Sequence, residues 1–184
     1  MSDMDILNQM IKDSAKILPT SHYSKTKIEL VEPQDTRSAV SIYGVPDNVI
    51  VIKVDTFPPP DSVFAGKRGE CKRADYVIVS NTEERKVIVY IEMKRTKGSR
   101  EEIVQQLKGA KCFINYCKEI GRVFWQERNF LKDYQHRFVS IGHTSIPKRR
   151  TRITRKNGKH DQPDKMLKID WPHHIEFNHL VGSK

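Results

Sequence analysis

Two apolar runs separated by a short polar turn constrain the fold of this chain more than any other feature of its sequence. The runs are DYVIVS at 75–80 and KVIVYIEMK at 86–94, and the polar residues 81–85 lie between them. Both runs are rich in Val, Ile and Tyr, which are enriched in β-strands. The pattern predicts two strong strands joined as a hairpin, and therefore a sheet at the centre of the fold.

Two segments show helical periodicity. Apolar residues recur at helical spacing in 4–18 and again in 100–120, where Gly121 is expected to follow the helix end. Ser99 and Glu102 form an S-x-x-E pattern, which predicts a capping box at the start of the second helix. Further strands are predicted at 38–43, 48–54 and 137–142, and a basic hairpin or arm at 151–156 and 165–170.

The order of these elements predicts an α/β fold, in which helices flank a central mixed sheet. The 184 residues fit one domain, and a chain of this length can bury a core without disulfides or structural metals. We divide the chain into a core at 1–147 and a basic C-terminal arm at 148–184, which is expected to pack on the same domain.

Composition argues against several classes of protein. No window of about 18 apolar residues is present, so we expect no transmembrane helix and no membrane partner. Residues 1–20 lack the basic start and the continuous apolar stretch of a secretory signal. Cys71, Cys112 and Cys117 include no C-x-x-C pair, which argues against a disulfide framework or a zinc ribbon and favours a reducing, cytoplasmic compartment.

The charge of the chain indicates an anionic partner. Lys and Arg number 33 and Asp and Glu 23, which gives a formal net charge of +10 and favours nucleic acid as the partner. Residues 148–168 hold nine basic residues against two acids, although such a run can equally be a solvated surface loop. The arm residues that we assign to nucleic-acid contact are Lys148, Arg149, Arg150, Arg152, Arg155 and Lys156.

Charged residues stand where the two hairpin strands begin and end. Side chains alternate along a strand, so Glu92 and Lys94 share one face and Met93 points to the other. The hairpin turn places the start of the first strand beside the end of the second, so Asp75 is expected next to Glu92 and Lys94. Two adjacent carboxylates repel each other unless a cation lies between them, and oxygen ligands suit Mg²⁺ or Mn²⁺. These residues predict a metal site formed by Asp75, Glu92 and the backbone carbonyl of Met93.

This constellation resembles the PD-(D/E)XK nuclease superfamily, whose motif is an Asp that opens one strand and a Glu-x-Lys on the next. Here Asp75 is followed by Glu92-Met93-Lys94, and the resemblance covers about residues 4–143. It implies a restriction-endonuclease-like core of the order α-β-β-β-α-β. It also implies Mg²⁺-dependent hydrolysis of phosphodiester bonds in DNA, with Asp75 and Glu92 as metal ligands and Lys94 positioning the attacking water.

Many members of this superfamily carry a Gln on the helix after the Lys. Gln106 matches that position better than Gln105, because Gln106 lies beside the apolar stripe while Gln105 is expected on the solvent side. The chain departs from the family pattern at two positions. Ala74 replaces the Pro before the Asp, and Ala110 replaces the Tyr of the Q-x-x-x-Y variant.

Other charged residues flank the predicted site. Lys72, Arg73 and Arg95 are assigned to phosphate contact, and as an alternative they are solvated charges at strand ends. Glu70 is a candidate extra acid at the site, with a simple loop carboxylate as the alternative.

Alternative functions also remain open at this point. One is a catalytically inactive nucleic-acid-binding protein on a nuclease-like scaffold, and the other is a ribonuclease of the same fold. The resemblance admits roles in restriction, repair, recombination or phage defence. It also admits a homodimer, because many members dimerise to cut both strands.

Overall fold

The computed structural model describes residues 1–23, 25–32, 35–96, 98–144, 151–154, 159–170, 172 and 174–182. The helices in these ranges are α1 (Asp3–Met10), α2 (Arg100–Phe124) and α3 (Phe177–Val181). The first five strands are β1 (Lys16–Ile17), β2 (Thr20–His22), β3 (Lys25–Glu32), β4 (Asp35–Tyr43) and β5 (Val49–Lys53). The remaining strands are β6 (Tyr76–Asn81), β7 (Lys86–Lys94), β8 (Gln135–Gly142), β9 (Arg152–Thr154), β10 (Leu167–Asp170) and β11 (Ile175–Glu176).

The strands form two sheets. The larger sheet has seven strands in the order β1-β5-β6-β7-β8-β10-β9, and the smaller has four in the order β11-β4-β3-β2. In the larger sheet β5, β6 and β7 are antiparallel neighbours, whereas β8 runs parallel to β7 and β10 parallel to β8. The predicted α/β fold with a mixed central sheet is therefore confirmed.

The β6–β7 hairpin lies at the centre of the larger sheet, as its sequence predicts. Its two faces enter different apolar cores. Ile88 and Tyr90 pack with residues of α1 and α2, while Val89 and Ile91 pack with residues of the smaller sheet and α3. Both faces are covered, which explains why the strands are apolar almost without interruption. The same alternation places Glu92 and Lys94 on the face toward α2.

The first helix is shorter than its periodicity predicts. It is closed at its start by a capping box between Ser2 and Asp5, and it ends at Met10 rather than at residue 18. Lys16 and Ile17 instead form β1, which pairs with Ile52 and Val51 of β5. The helix ends early because residues 16–17 pair with the edge of β5. A longer helix would leave the backbone groups at that edge without strand partners.

The polar segment 20–37 precedes the first predicted strand, and it contributes much of the smaller sheet. In β3 (Lys25–Glu32) the buried Ile28 and Leu30 alternate with outward polar residues. The short segment 44–48 between the predicted strands 38–43 and 48–54 does not join neighbouring strands either. It leads from β4, which pairs with β3, to β5, which pairs with β6 in the other sheet. Tertiary pairing therefore separates two segments that the sequence pattern places side by side.

Helix α2 connects β7 to the parallel strand β8 and buries the apolar face that its periodicity predicts. Two details of its ends differ from the prediction. Ser99 is the N-cap residue, but its side chain makes no capping hydrogen bond, and the charge of Glu102 acts on Lys94 instead. Gly121 lies inside the helix rather than after it, because the helix continues to Phe124 and Gly121 packs directly under the ring of Phe130.

A close backbone approach at Gly109 leads to a first prediction. A Cβ atom at this position of α2 would overlap the main-chain carbonyl oxygen of Lys72. Gly→Ala in an open helix position stabilises by roughly 0.5–1 kcal/mol, but here the backbone must move. We expect Gly109→Ala to lower the free energy of unfolding by about 1–3 kcal/mol. Urea unfolding measures this difference.

The control for this substitution is Lys108→Ala, which changes an exposed residue on the same helix. We expect it to leave the free energy of unfolding within about 0.5 kcal/mol of the parent value. A Gly109→Ala protein as stable as the parent would mean that α2 does not press on the segment that leads to Asp75.

None of the helices in the described ranges combines the length and the apolar character that crossing a membrane requires.

Candidate active site

The end of the β6–β7 hairpin brings together the three residues that the sequence singles out. The register pairs Tyr76 with Ile91, so Asp75 lies opposite Glu92. The backbone N–H of Met93 donates a hydrogen bond to Asp75 Oδ2 at 2.7 Å. Lys94 Nζ lies 2.9 Å from Glu92 Oε1. The predicted convergence of two carboxylates and a lysine is therefore present in the structure.

Glu92 is the most buried member of this group. Only 1% of the residue is exposed, and its second carboxylate oxygen, Oε2, has no hydrogen-bond partner among the described residues. A buried carboxylate oxygen without a partner is costly. A bound cation or a donor from a ligand would satisfy this oxygen.

Burial also shifts the protonation of both acids. Loss of solvation, opposed by the Met93 hydrogen bond and assisted by the charge of Glu32, raises the pKa of Asp75 to about 7. Loss of solvation and the charge of Asp75 raise the pKa of Glu92 well above its usual value. A bound cation would oppose both shifts, because it stabilises the ionised carboxylates and replaces the proton as their partner.

Lys94 keeps its positive charge in this setting. Partial burial alone would lower its pKa, but the adjacent Glu92 carboxylate, with further contributions from Glu102 and Asp75, outweighs burial and raises the pKa. An ammonium group that stays protonated beside a carboxylate can stabilise negative charge that develops on a bound substrate.

Two further acids lie near this pair that the sequence does not point to. Glu32, at the end of β3, is 2% exposed, and its charge helps to raise the pKa of both Asp75 and Glu92. Asp55 follows β5, and its charge acts on Asp75 as well. The sequence signal for Glu32 is that it continues the alternation of Ile28 and Leu30 on the buried face of β3. This signal is weak because most residues of the strand are polar.

These acids are not assembled into a closed cage. Within the part of the chain that the structure describes, no group of three or more His, Cys, Asp and Glu side chains is arranged to hold a metal ion.

The carboxyl ends of three parallel strands, β7, β8 and β10, meet at the same edge of the larger sheet. The register places Ser140 of β8 opposite Glu92, and Gly142 opposite Lys94. Across the next pair, Lys168 lies opposite Ser140 and Asp170 opposite Gly142. Residues that are directly opposite share a face, so this polar row continues from Glu92 and Lys94 across the sheet. Sequence analysis did not identify Ser140, Lys168 or Asp170, because only the pairing of distant strands brings them here.

His143 directly follows β8 in the same region. Its Nε2 atom lies 3.8 Å from Asp170 Oδ1, and its backbone adopts a positive φ of 57°, which is uncommon for a residue other than glycine. Gly142 leaves the room that Asp170 needs, because a Cβ atom at position 142 would lie 2.6 Å from Asp170 Oδ1. The end of β8 is therefore shaped around the Asp170 carboxylate.

The two glutamines of α2 occupy different environments, and one differs from the prediction. The Oε1 atom of Gln106 is buried and has no hydrogen-bond partner among the described residues. The prediction that Gln105 lies on the solvent side is wrong. Gln105 is half-buried against Gly69, and a Cβ atom at position 69 would lie 2.6 Å from Gln105 Cδ. The loop 66–72 folds onto α2, which is a tertiary contact that helical periodicity could not reveal.

The charged residues near the hairpin differ in their contacts. The Glu70 carboxylate accepts a hydrogen bond from the Arg68 N–H at 2.8 Å, which gives it a local role within its own exposed turn. The Arg73 guanidinium donates to the backbone carbonyl of Asp55 at 2.9 Å, so it also braces the segment that leads to the site. Lys72 and Arg95 are exposed beside the site.

The basic arm is described only in part. Lys148, Arg149, Arg150, Arg155 and Lys156 lie outside the described residues. The predicted hairpin corresponds to β9 and β10, which pair antiparallel and extend the larger sheet. Arg152 of β9 is exposed and lies opposite Asp170. It is three strands from Lys94 along one row, which corresponds to about 14 Å at the usual strand spacing.

Comparisons of this chain with protein-family models, with curated proteins and with solved structures gave no match.

Proposed function

We propose that this protein is a metal-dependent nuclease that hydrolyses phosphodiester bonds in DNA, with a site of the PD-(D/E)XK type. The observation that carries the proposal is the buried Glu92, whose Oε2 atom has no hydrogen-bond partner among the described residues, beside Asp75 and the charged Lys94. Two carboxylates that repel each other inside a basic protein favour a cation as their ligand.

The order of elements around this site supports the proposal. Helix α1 precedes the antiparallel strands β5, β6 and β7, and α2 then crosses to the parallel strand β8. This order agrees with the helix, three strands, helix and strand that the proposed restriction-endonuclease-like core requires. Strands β1 to β4 are inserted between α1 and β5. Strand β1 joins the larger sheet, while β2, β3 and β4 supply three strands of the smaller sheet, with Glu32 at the end of β3.

Asp75 and Glu92 would hold the ion, which we infer to be Mg²⁺ or Mn²⁺. Mg²⁺ is commonly bound by one or two carboxylates, with waters and substrate phosphates as its other ligands, so a pair of acids is sufficient. The N–H and C=O groups of a strand residue point toward the same neighbouring strand, so the Met93 carbonyl is a further candidate ligand on the side of Asp75. When bound, the ion would polarise the phosphodiester and lower the pKa of a coordinated water.

Lys94 and Gln106 would act on the reacting groups. The Lys94 ammonium is held by Glu92 and can stabilise charge on the phosphate or orient the attacking water. The buried Oε1 atom of Gln106 can accept a hydrogen bond from that water or contact the substrate. Arg152, Lys72 and Arg95 are exposed cations on the approach to the site and would contact neighbouring phosphates.

Cleavage assays with plasmid DNA, single-stranded DNA and RNA of matched sequence, in Mg²⁺, Mn²⁺ and EDTA, test the proposal. We expect DNA to be cut in either metal and to remain intact in EDTA. Cleavage of RNA alone would assign a ribonuclease. Binding to any of these nucleic acids without cleavage would assign a nucleic-acid-binding protein on a nuclease-like scaffold.

The two glutamines of α2 provide a matched pair for this test. We expect Gln106→Ala to reduce DNA cleavage about tenfold or more, because it removes the buried amide oxygen that faces no other partner among the described residues. Gln105→Ala should reduce it less, since Gln105 packs on Gly69. Single-turnover cleavage rates measure both effects. An equal loss, or a larger loss for Gln105→Ala, would remove Gln106 from the site.

The basic arm should contribute to binding rather than to the chemical step. We expect neutralising Lys148, Arg149, Arg150, Arg152, Arg155 and Lys156 to weaken DNA binding similarly for unrelated sequences. If half of these residues touch phosphates, the slope of log affinity against log salt should become flatter by roughly 2–3. Salt titrations in Ca²⁺, which is chosen to prevent cleavage, measure the slope.

Neutralising the exposed Arg122, Arg128 and Lys132 is the control for the arm, because these residues are distant from it in sequence. We expect this variant to keep the parent slope. A slope that stays the same when the arm is neutralised would leave Lys72, Arg73 and Arg95 as the phosphate contacts.

A further inference from the structure

A cavity of about 510 Å³ lies between α2 and the loop 57–73. We propose that it binds an unstacked nucleobase, so that the substrate is single-stranded or locally unpaired nucleic acid. This inference rests on the proposed nuclease function and adds the class of substrate. The residues that line the cavity and carry the argument are Phe57, Phe64, Phe113, Tyr116, Lys72 and Arg73.

The walls of the cavity are aromatic and partly open to solvent. The Phe57 ring lies 5.4 Å from the Phe113 ring and 6.4 Å from the Tyr116 ring, between ring centroids. Phe64 is 56% exposed and Tyr116 is 57% exposed. Exposed aromatic rings around a concave surface provide faces on which a base can stack, and a volume in this range suits a ligand of nucleotide size.

The cavity is joined to the candidate active site through the segment that ends in Asp75. Arg73, two residues before Asp75, hydrogen-bonds to the Asp55 carbonyl, and the Val54 N–H hydrogen-bonds to the Asp75 carbonyl at 2.8 Å. Along α2, Phe113 follows Gln106 by seven residues, which is about 10 Å of helix. A base in the cavity would thus belong to a nucleotide close to the phosphate at Asp75 and Glu92.

The charges at the cavity favour a nucleotide over a purely apolar ligand. The Lys72 ammonium and the Arg73 guanidinium place two positive charges at the cavity wall. The one carboxylate in the lining, that of Glu70, already accepts a hydrogen bond from the Arg68 N–H. A nucleotide combines an aromatic face with a phosphate, so it matches both the rings and these cations. In a duplex the bases are stacked on each other and cannot enter, which is why the cavity favours unpaired strands.

Fluorescence of an adenine analogue that is quenched by stacking tests this inference. A single-stranded oligonucleotide that carries the analogue is titrated with the protein in Ca²⁺. We expect quenching on binding, and we expect the Phe64→Ala/Tyr116→Ala protein to bind about 5- to 100-fold more weakly without quenching. The single variant Tyr116→Ala should show part of the loss, whereas Tyr116→Phe should keep the parent affinity, because stacking requires only the ring.

Phe124→Ala is the matched control, since Phe124 is 76% exposed on the same helix and does not line the cavity. We expect it to bind and quench as the parent does. Equal affinity and quenching in the parent and the double variant would overturn the inference, as would equal quenching by the same sequence in a duplex.

The outcomes separate this inference from the nuclease proposal. Cleavage that continues while quenching is insensitive to Phe64 and Tyr116 would overturn the base site alone. Quenching that depends on these rings, in a protein that cuts nothing, would support the base site and overturn the nuclease. A protein that binds no nucleic acid would overturn both.

Discussion

Glu92→Gln is expected to lower Mg²⁺-dependent DNA cleavage by about 10²–10³-fold or more while the protein stays folded. The substitution keeps the size of the side chain but removes the charge that would hold the ion, and it relieves the repulsion between Glu92 and Asp75. Asp75→Asn and Lys94→Ala should cause losses of the same order, because each removes one member of the same group. Single-turnover rates on plasmid DNA, with circular dichroism as the check on folding, measure the effect.

Glu101→Gln is the control for this prediction. Glu101 is an exposed acid in the first turn of α2, so its replacement changes the net charge equally without touching the site. We expect its cleavage rate to remain near that of the parent. Full activity of the Glu92→Gln protein, or full activity of the parent in EDTA, would contradict the metal-dependent mechanism.

Asp75→Asn is expected to stabilise the protein at pH 8 by an amount on the order of 2 kcal/mol. Burial, with a contribution from the charge of Glu32, raises the pKa of Asp75 from 3.8 to about 7 in the folded state. The native state therefore binds a proton that the unfolded chain has already released between these values, so stability falls as the pH rises from about 4 to about 7. Partial exposure of Asp75 reduces the size of the effect.

Urea unfolding at pH 4 and pH 8 measures this second effect. The difference between Asp75→Asn and the parent should be much smaller at pH 4, because the folded-state carboxyl is then protonated and the unfolded-state carboxyl is only about half ionised. Mg²⁺ at pH 8 should stabilise the parent and leave the variant unchanged. Asp61→Asn, which replaces an exposed acid, is the control and should change the free energy of unfolding by less than about 0.5 kcal/mol. If Asp75→Asn raised the free energy of unfolding equally at both pH values, ionisation of Asp75 would not be what destabilises the parent.

The core of the candidate site could be predicted from sequence because its determinants are local. A polar turn of a few residues sets the register of the β6–β7 hairpin, and the alternation of side chains then places Asp75 beside Glu92 and Lys94. The buried stripe of α2, from Ile103 to Cys117, follows in the same way from helical periodicity. In each case residues close in the chain decide which side chains share a face.

The smaller sheet could not be predicted because its strands are held by partners far away in the chain. The segment 25–32 contains only a few apolar residues, so its sequence shows the alternation of a strand only weakly. Contact with the core, where Ile28 and Leu30 are buried, stabilises the strand. The end of α1 differs from the predicted end at residue 18 for a similar reason. Residues 16–17 keep a helical pattern, but they pair with β5 because an unpaired sheet edge is available there.

The sequence by itself determined the central hairpin, the buried face of α2, the Asp75–Glu92–Lys94 group and the basic charge of the chain. Only the tertiary structure decided which other residues lie near that group or in its row. Glu32 comes from the second sheet, and the register of β8, β10 and β9 places Ser140 beside Glu92 and continues the row to Asp170 and Arg152. That register is set by how α2 and the C-terminal segment pack on the sheet. Because such packing depends on contacts between residues far apart in the chain, no local pattern of residues encodes it.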